Sequence, residues 1–222
     1  MLYRNYIKRG LDIVISFVAL VVLSPLLLLL TVVGRMQMKG NPFFHQKRPG
    51  KNGKIFELVK FRSMSMEKDA DGNLLPDSKR LNRYGKFLRS TSLDELPELL
   101  NILKGDMSLI GPRPLSVMYL PYYNEQEKHR HDVRPGLSGL AQVNGRNVTT
   151  WEARFAWDLK YVQEVSFLLD CKIIAMTILK VLKRSDIGSR QEDNTGEGLV
   201  DFEVYRQRQW DEEACEKTVN NV

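Results

Sequence analysis

Residues 11–33 read LDIVISFVALVVLSPLLLLLTVV, and no other stretch restricts the fold as strongly. At ~1.5 Å of rise per helical residue, about 20 apolar residues cover the hydrocarbon core of a bilayer. A cleaved secretory signal fits poorly, because the apolar core is too long and no small-residue cleavage site follows it. Ser24-Pro25 falls just past the middle of the run. Proline lacks the N–H that bonds four residues back, and its ring crowds the preceding turn, so a break or kink is expected there. Asp12, at the near end, is expected at the level of the headgroups.

Two topologies compete. A kinked helix could cross the bilayer, or a broken one could dip in and return to the same face. Arg4, Lys8 and Arg9 precede the run, and Arg35, Lys39, Lys47 and Arg48 follow it. Basic flanks stay on the cytoplasmic side, and here both flanks are basic, which favours the hairpin. Backbone groups freed at the break then need partners such as the Ser24 hydroxyl.

Over all 222 residues the chain is 43% hydrophobic and 27% charged, near globular averages, so most of it is expected to fold in water. Its charge is divided. Residues 186–222 hold ten Asp/Glu against four Lys/Arg, so a chain of net +6 carries +12 over residues 1–185. A basic body suits a phosphate-rich partner such as a nucleotide, a nucleic acid or an anionic lipid headgroup. Charge alone does not separate these from a merely basic soluble protein. Cys171 and Cys215 are too few for a disulfide framework or a zinc site. Cys171 lies in an apolar stretch and is expected to be buried. His45, His129 and His131 lack metal-ligand spacing, and neither GxxxxGK[ST] nor GxGxxG occurs.

Three parts follow: residues 1–38 as a membrane helix with its flanks, 39–185 as a catalytic domain, and 186–222 as an acidic tail. Within the domain, 42–46 and 54–61 flank a turn-rich stretch and read as a β-hairpin. A polar surface excursion covers 67–80. Helices are expected over 80–89, 93–103, 116–131 and 151–165, the second ended by Gly105. Residues 167–184 are apolar but punctuated by Lys172, Lys180, Lys183 and Arg184. They fit either a core helix or one lying in the headgroup plane. In the tail, 202–210 could form a short element.

The densest chemical candidate is RSTSLDELP at 89–97. Pro97 is comfortable only in a first turn, so a helix should begin close to Asp94. Asp94 and Glu95 then sit at its positive end. They either cap the helix and answer its dipole, or act chemically. In the second case one carboxylate attacks phosphorus while the other holds a divalent cation. Magnesium suits such a site because it takes hard oxygens and substrate phosphates together. Cations are at hand. Lys60 and Arg62 share a face by strand alternation, as they also would on a solvated edge. Arg113 is pinned between Pro112 and Pro114, which holds its guanidinium fork for phosphate oxygens or simply shapes an exposed turn. Arg134-Pro-Gly136 and the stretch from Gln142 to Arg146 read as loops able to frame a nucleotide or only to turn the chain.

Taken in order, the motifs are Ser24-Pro25, KFRSM at 60–64, RSTSLDELPELLNILKGDMSLIGPRP at 89–114, VRPGLSGLAQVNGR at 133–146 and LDCKIIAMTILKVLKR at 169–184. Together they resemble the bacterial sugar transferase family, the monotopic phosphoglycosyl transferases, over most of residues 1–185. The resemblance implies an α+β, mainly helical fold. It combines a re-entrant membrane helix broken at Ser24-Pro25, interfacial amphipathic helices and a small β-hairpin. It places the site on the cytoplasmic face of the bacterial inner membrane. It implies transfer of a sugar phosphate from a UDP-sugar to undecaprenyl phosphate, with UMP released and Asp94 as the nucleophile. Glu95 corresponds to the Mg2+ ligand. Lys60, Arg62, Arg89, Arg113 and Arg134 fall on basic positions near the phosphates or the carrier. The implied partners are the UDP-sugar, undecaprenyl phosphate, membrane lipid and downstream glycosyltransferases, not nucleic acid.

Within the family the likeness is strongest to small members that use UDP-N,N'-diacetylbacillosamine, through YLPYYNEQEKHRHDVRPG at 119–136. No residue selects the sugar by physical argument, and the acidic tail departs from the family pattern. Two rivals predict different behaviour. A membrane-anchored basic binding module without catalysis would lose binding gradually and with steep salt dependence as its cations are neutralised. A tethered hydrolase would form product without any polyprenyl phosphate.

Overall fold

The structure is a computed structural model that describes residues 2–145, 150–183 and 201–219. It is mostly helical. The expected hairpin is present: β1 (Phe43–Pro49) and β2 (Ile55–Phe61) pair antiparallel from Phe43 opposite Phe61 to Pro49 opposite Ile55. The expected helix over 80–89 is two pieces, α2 (Asp77–Arg80) and α3 (Arg83–Thr91). Asn82 separates them because its side chain accepts from the Gly85 N–H at 2.9 Å and so starts a new helix. A Cβ at Gly85 would stand 1.8 Å from the Ser63 carbonyl oxygen. Only glycine lets α3 lie this close to the segment that follows β2.

After α3 comes a single 3₁₀ turn, Leu93–Glu95, and then α4 (Glu98–Lys104), which Gly105 ends at φ 99° as expected. Two three-residue strands, β3 (Ser108–Ile110) and β4 (Gly136–Ser138), form a parallel pair that the sequence did not reveal. Strands this short show no periodicity, and their partners lie far apart along the chain. The stretch 116–131 is also not one helix. It holds a 3₁₀ run (Val117–Tyr122) containing Pro121, then α5 (Glu125–Lys128) started by an Asn124–Glu127 capping box, then a second 3₁₀ run (His129–Asp132). The chain continues through α6 (Leu140–Val143), α7 (Trp151–Glu164), α8 (Phe167–Lys183) and α9 (Phe202–Val219).

Against this body lies the apolar segment. A π-helical turn, Tyr3–Ile7, runs into α1 (Lys8–Gln37), and together they are long and apolar enough to cross a membrane. The expected break at Ser24-Pro25 does not interrupt the helix. Pro25 cannot bond the Val21 carbonyl four residues back, and the Ser24 hydroxyl donates to that same oxygen at 2.7 Å. The carbonyl is satisfied locally, so the helix continues.

Both ends of α1 are tied to the body. At the start, Lys8 Nζ lies 2.6 Å from Asp170 Oδ2, and Arg9 donates to the Ile102 and Leu103 carbonyls at the end of α4. Asp12 is buried against the body, its Oδ1 accepting from the Leu109 N–H at 3.0 Å. At the far end the Tyr84 hydroxyl donates to the Leu30 carbonyl, and Asn82 Nδ2 to that of Gln37.

Helix α8 packs one face into the core and leaves apolar side chains exposed on another. Ile173 is fully buried in the core, while Leu168, Ile178 and Leu179 are more than half exposed. Cys171 lies on the exposed side, contrary to expectation, because the helix turns that position away from Ile173. The acidic segment also differs from a plain tail. The element expected over 202–210 extends to Val219, and Phe202 is completely buried among Tyr119, Tyr123, Trp151 and Phe155. Arg206 clamps it by reaching both Glu127 oxygens at 2.5 and 2.6 Å.

Candidate active site

Ser92 closes α3 in the left-handed conformation, φ 57°, and throws the chain into the turn that carries Asp94 and Glu95. Helix α4 starts at Glu98, with Pro97 as its cap, and not at Asp94 as expected. The missing N–H of Pro97 is harmless at that position. Glu98 therefore occupies the first helical turn, and Asp94 and Glu95 project from the turn before it.

This turn forms one wall of a cavity of about 850 Å³. Its lining includes the carboxylates Asp77, Asp94, Glu95 and Glu98 and eight cations: Arg48, Lys60, Arg62, Arg80, Arg89, Arg113, Arg154 and Lys180. The other side is apolar, formed by Ile15 of α1, Leu137, and Ile174, Ile178 and Val181 of α8. The cavity thus joins a cationic half to a half continuous with the apolar helix.

Glu95 is its electrostatic centre. Its Oε1 lies 2.7 Å from Arg113 Nη2 and 3.2 Å from Lys60 Nζ, and Lys60 also lies 3.1 Å from Glu98 Oε1. Burial pushes Glu98 up to about 7 against the pull of Lys60, with Glu95 adding repulsion. Glu95 holds Arg113 above its ordinary range. Burial pushes Arg48 down to about 10, with Arg113 contributing, and does the same to Arg154. Cations crowded and desolvated in this way are stabilised by an incoming anion.

The backbone that presents Arg113 is held tightly. A Cβ at Gly111 would stand 2.3 Å from the Arg134 carbonyl oxygen, so glycine is needed where the strands β3 and β4 meet. Arg130 donates to the Arg113 carbonyl at 2.8 Å and to Asp158 Oδ2 at 2.7 and 3.1 Å, all in the interior. Arg89 donates to Ser63 Oγ at 3.0 Å. Arg62 bonds the Asn41 and Phe43 carbonyls at 2.8 and 3.1 Å.

Of the residues singled out from the sequence, the cavity brings together Asp94, Glu95, Lys60, Arg62, Arg89, Arg113 and Gln142. Arg134 is not in its lining and donates instead to the Gly105 carbonyl at 2.8 Å, beyond α4. Arg146 lies outside the described residues. Ser24 and Pro25 sit on α1 away from the lining, which α1 joins through Ile15. Sequence reasoning passed over Arg48, Arg80, Glu98, Arg154 and Lys180. Glu98 could have been found, since it stands four residues after Asp94 in the same motif. Arg154 carries no local signal.

The donor set was compared with what magnesium needs. No group of three or more His, Cys, Asp or Glu able to hold a metal occurs among the described residues. Magnesium is commonly held by one or two carboxylates, with substrate phosphates and water completing its shell, and Asp94 and Glu95 offer that much.

The site is thus a carboxylate-bearing turn ringed by cations and open to a helix long and apolar enough to cross a membrane. The chain belongs to the bacterial sugar transferase family, whose model matches residues 3–184. It is 49% identical over 176 residues to the uncharacterized sugar transferase EpsL of Bacillus subtilis (strain 168), covering 79% of this chain and 87% of that one. It is 41% identical to the UDP-glucose:undecaprenyl-phosphate glucose-1-phosphate transferase of Klebsiella pneumoniae and 39% identical to that of Xanthomonas campestris pv. campestris. These matches cover 78% and 77% of this chain but 39% and 38% of those relatives, so the chain spans well under half their length.

Proposed function

We propose that this protein is a phosphoglycosyl transferase that moves a sugar 1-phosphate from a UDP-sugar to undecaprenyl phosphate and releases UMP. The observation that carries the reading is Asp94 on a cavity wall ringed by eight cations and backed by apolar side chains of α1 and α8. Two phosphorylated substrates, one of them greasy, need such a place. The names of the Klebsiella and Xanthomonas relatives, which specify this transfer for UDP-glucose, support the same class.

In the first step an Asp94 carboxylate oxygen attacks the phosphorus that bears the sugar. The bond to the bridging oxygen breaks, and UMP leaves with the electron pair. The product is an aspartyl phosphosugar. In the second step a phosphate oxygen of undecaprenyl phosphate attacks the same phosphorus, Asp94 leaves as carboxylate, and a lipid diphosphate sugar forms. Arg113 and Lys60 stand where negative charge gathers, and their pairing with Glu95 aims them at the reacting group. Glu95, with Asp94 beside it, would hold Mg2+, which when bound neutralises the diphosphate and eases departure of UMP.

The reading places the protein on the cytoplasmic face of the bacterial inner membrane, with both ends of α1 on that side and the helix bent at Pro25 without being interrupted. Support comes from both ends of α1 being anchored to one body. For the sugar we propose an N-acetylated aminosugar of the diacetylbacillosamine kind, resting on the likeness at 119–136. UDP-glucose is the alternative that the relatives' names offer. The reaction is the first membrane-bound step of glycoconjugate assembly.

The test is UMP release from a panel of UDP-sugars, with and without polyprenyl phosphate and magnesium. Without acceptor, a burst of about one UMP per enzyme is expected, with labelled sugar retained on the protein. Steady release of free sugar phosphate without acceptor would identify a hydrolase instead. No release from any UDP-sugar, with salt-sensitive lipid binding intact, would leave a non-catalytic binding module.

A further inference from the structure

Three of the cavity's eight cations answer a carboxylate: Lys60 and Arg113 pair with Glu95, and Arg80 pairs with Asp77. Arg154 differs. It lines the same cavity, yet among the described residues no hydrogen bond or ion pair joins it to a carboxylate. Its guanidinium lies 4.8 Å over the ring of Trp151, a stacking arrangement that holds the fork in a fixed direction. Asp158 attracts it from a distance, while Arg130 and Arg113 repel it. Arg130 cannot serve in its place, being bound to Asp158 and to the Arg113 carbonyl.

The support behind Arg154 comes from outside the family match. Trp151 is buried, and its ring centroid lies 4.9 Å from that of Phe202 and 5.8 Å from that of Tyr119. Phe202 is the first residue of α9, beyond residue 184 where the match ends. The clamp of Arg206 on Glu127 keeps that helix in place.

We infer that Arg154 is a further phosphate-binding residue of this site, and that α9 positions it by wedging Phe202 against Trp151. The substrate's identity rests on the phosphoglycosyl reading above. The chemistry recognised is a phosphate group, present both in a UDP-sugar and in polyprenyl phosphate.

The test uses the full chain in lipid nanodiscs. One arm measures KM for the UDP-sugar at saturating polyprenyl phosphate, and the other reverses the roles. Arg154→Met should raise one of these KM values about tenfold, as loss of a charged hydrogen bond predicts, with kcat within about threefold. The arm that responds names the phosphate. Phe202→Ala should raise the same KM, Phe202→Leu should restore part of it, and the double variant should be no worse than Arg154→Met alone. Both KM values unchanged in Arg154→Met would overturn the assignment. A lower Tm in Phe202→Ala with KM unchanged would overturn the role of α9. If the wild type transfers no sugar at all, the phosphoglycosyl reading fails while Arg154 is still decided by ligand-induced Tm shifts. UMP and inorganic phosphate should then raise Tm less in Arg154→Met than in the wild type, and equal shifts would dismiss it.

Discussion

The wall that carries Asp94 and the aromatic cluster under α9 stand back to back, meeting at Arg113, Arg130 and Arg154. One is built from charge. Glu95 and Glu98 are buried and are held by Lys60 and Arg113 at the cavity wall, where the carboxylates are tolerable because of those partners. The other is built from dispersion: Phe202, Trp151, Tyr119, Tyr123 and Phe155 lie with ring centroids 4.9–5.8 Å apart. Desolvated charge stores reactivity at a cost in stability, and a packed aromatic cluster supplies rigidity without chemistry. The site needs both, since Arg113 faces the carboxylates while its backbone is held from the aromatic side by Arg130.

The largest expected effect separates the two regions most cleanly. Asp94→Asn should lower sugar-phosphate transfer by about 10³-fold or more while leaving the unfolding midpoint nearly unchanged. Comparable turnover in that variant would break the contrast. Next comes the junction. Asp158→Asn leaves the Arg130 charge buried without its partner, and thermal unfolding should show a loss of about 3–5 kcal/mol.

Acid and base then probe each side with opposite sign. On the aromatic side, burial pushes His131 down to about 4, so it stays neutral in the fold while the unfolded chain takes up a proton below about 6.5. Stability should fall as pH drops from about 6.5 to 4, by up to roughly 3 kcal/mol, and His131→Gln should flatten that slope. On the charged side, Glu98 is pushed up to about 7, so the fold holds a proton that the unfolded chain releases. Its contribution is present at low pH and lost as pH rises from about 4.5 to 7. The stability difference between Glu98→Gln and wild type should therefore grow in favour of the variant across that window, by a smaller amount because Lys60 opposes the shift. Parallel slopes for the two residues would show that the regions do not differ in this way.

Much of the charged wall was legible because its residues lie close together in sequence. The turn, Asp94, Glu95 and the Pro97 cap come from one motif, and Arg113 follows sixteen residues beyond Pro97. Lys60 and Arg62, two residues apart at the end of β2, line the same cavity. The aromatic side was hardly legible. Trp151 and Phe202 are separated by fifty residues, and an acidic composition around Phe202 reads as solvated chain. The helix start was misplaced because a 3₁₀ turn and an α-helical turn share the same local pattern.

By itself, the sequence determined a long apolar helix, a β-hairpin, and carboxylates set among cations in a family motif order. These depend on neighbours in the chain, where length, periodicity and proline chemistry act directly. Only the tertiary structure decided that Asp12 turns into the body, that Arg134 turns toward α4, and that Arg154 and α9 belong to the site's surroundings. Those outcomes depend on which distant groups satisfy a carbonyl, bury a ring or crowd a charge, and such partners become neighbours only when the chain has folded.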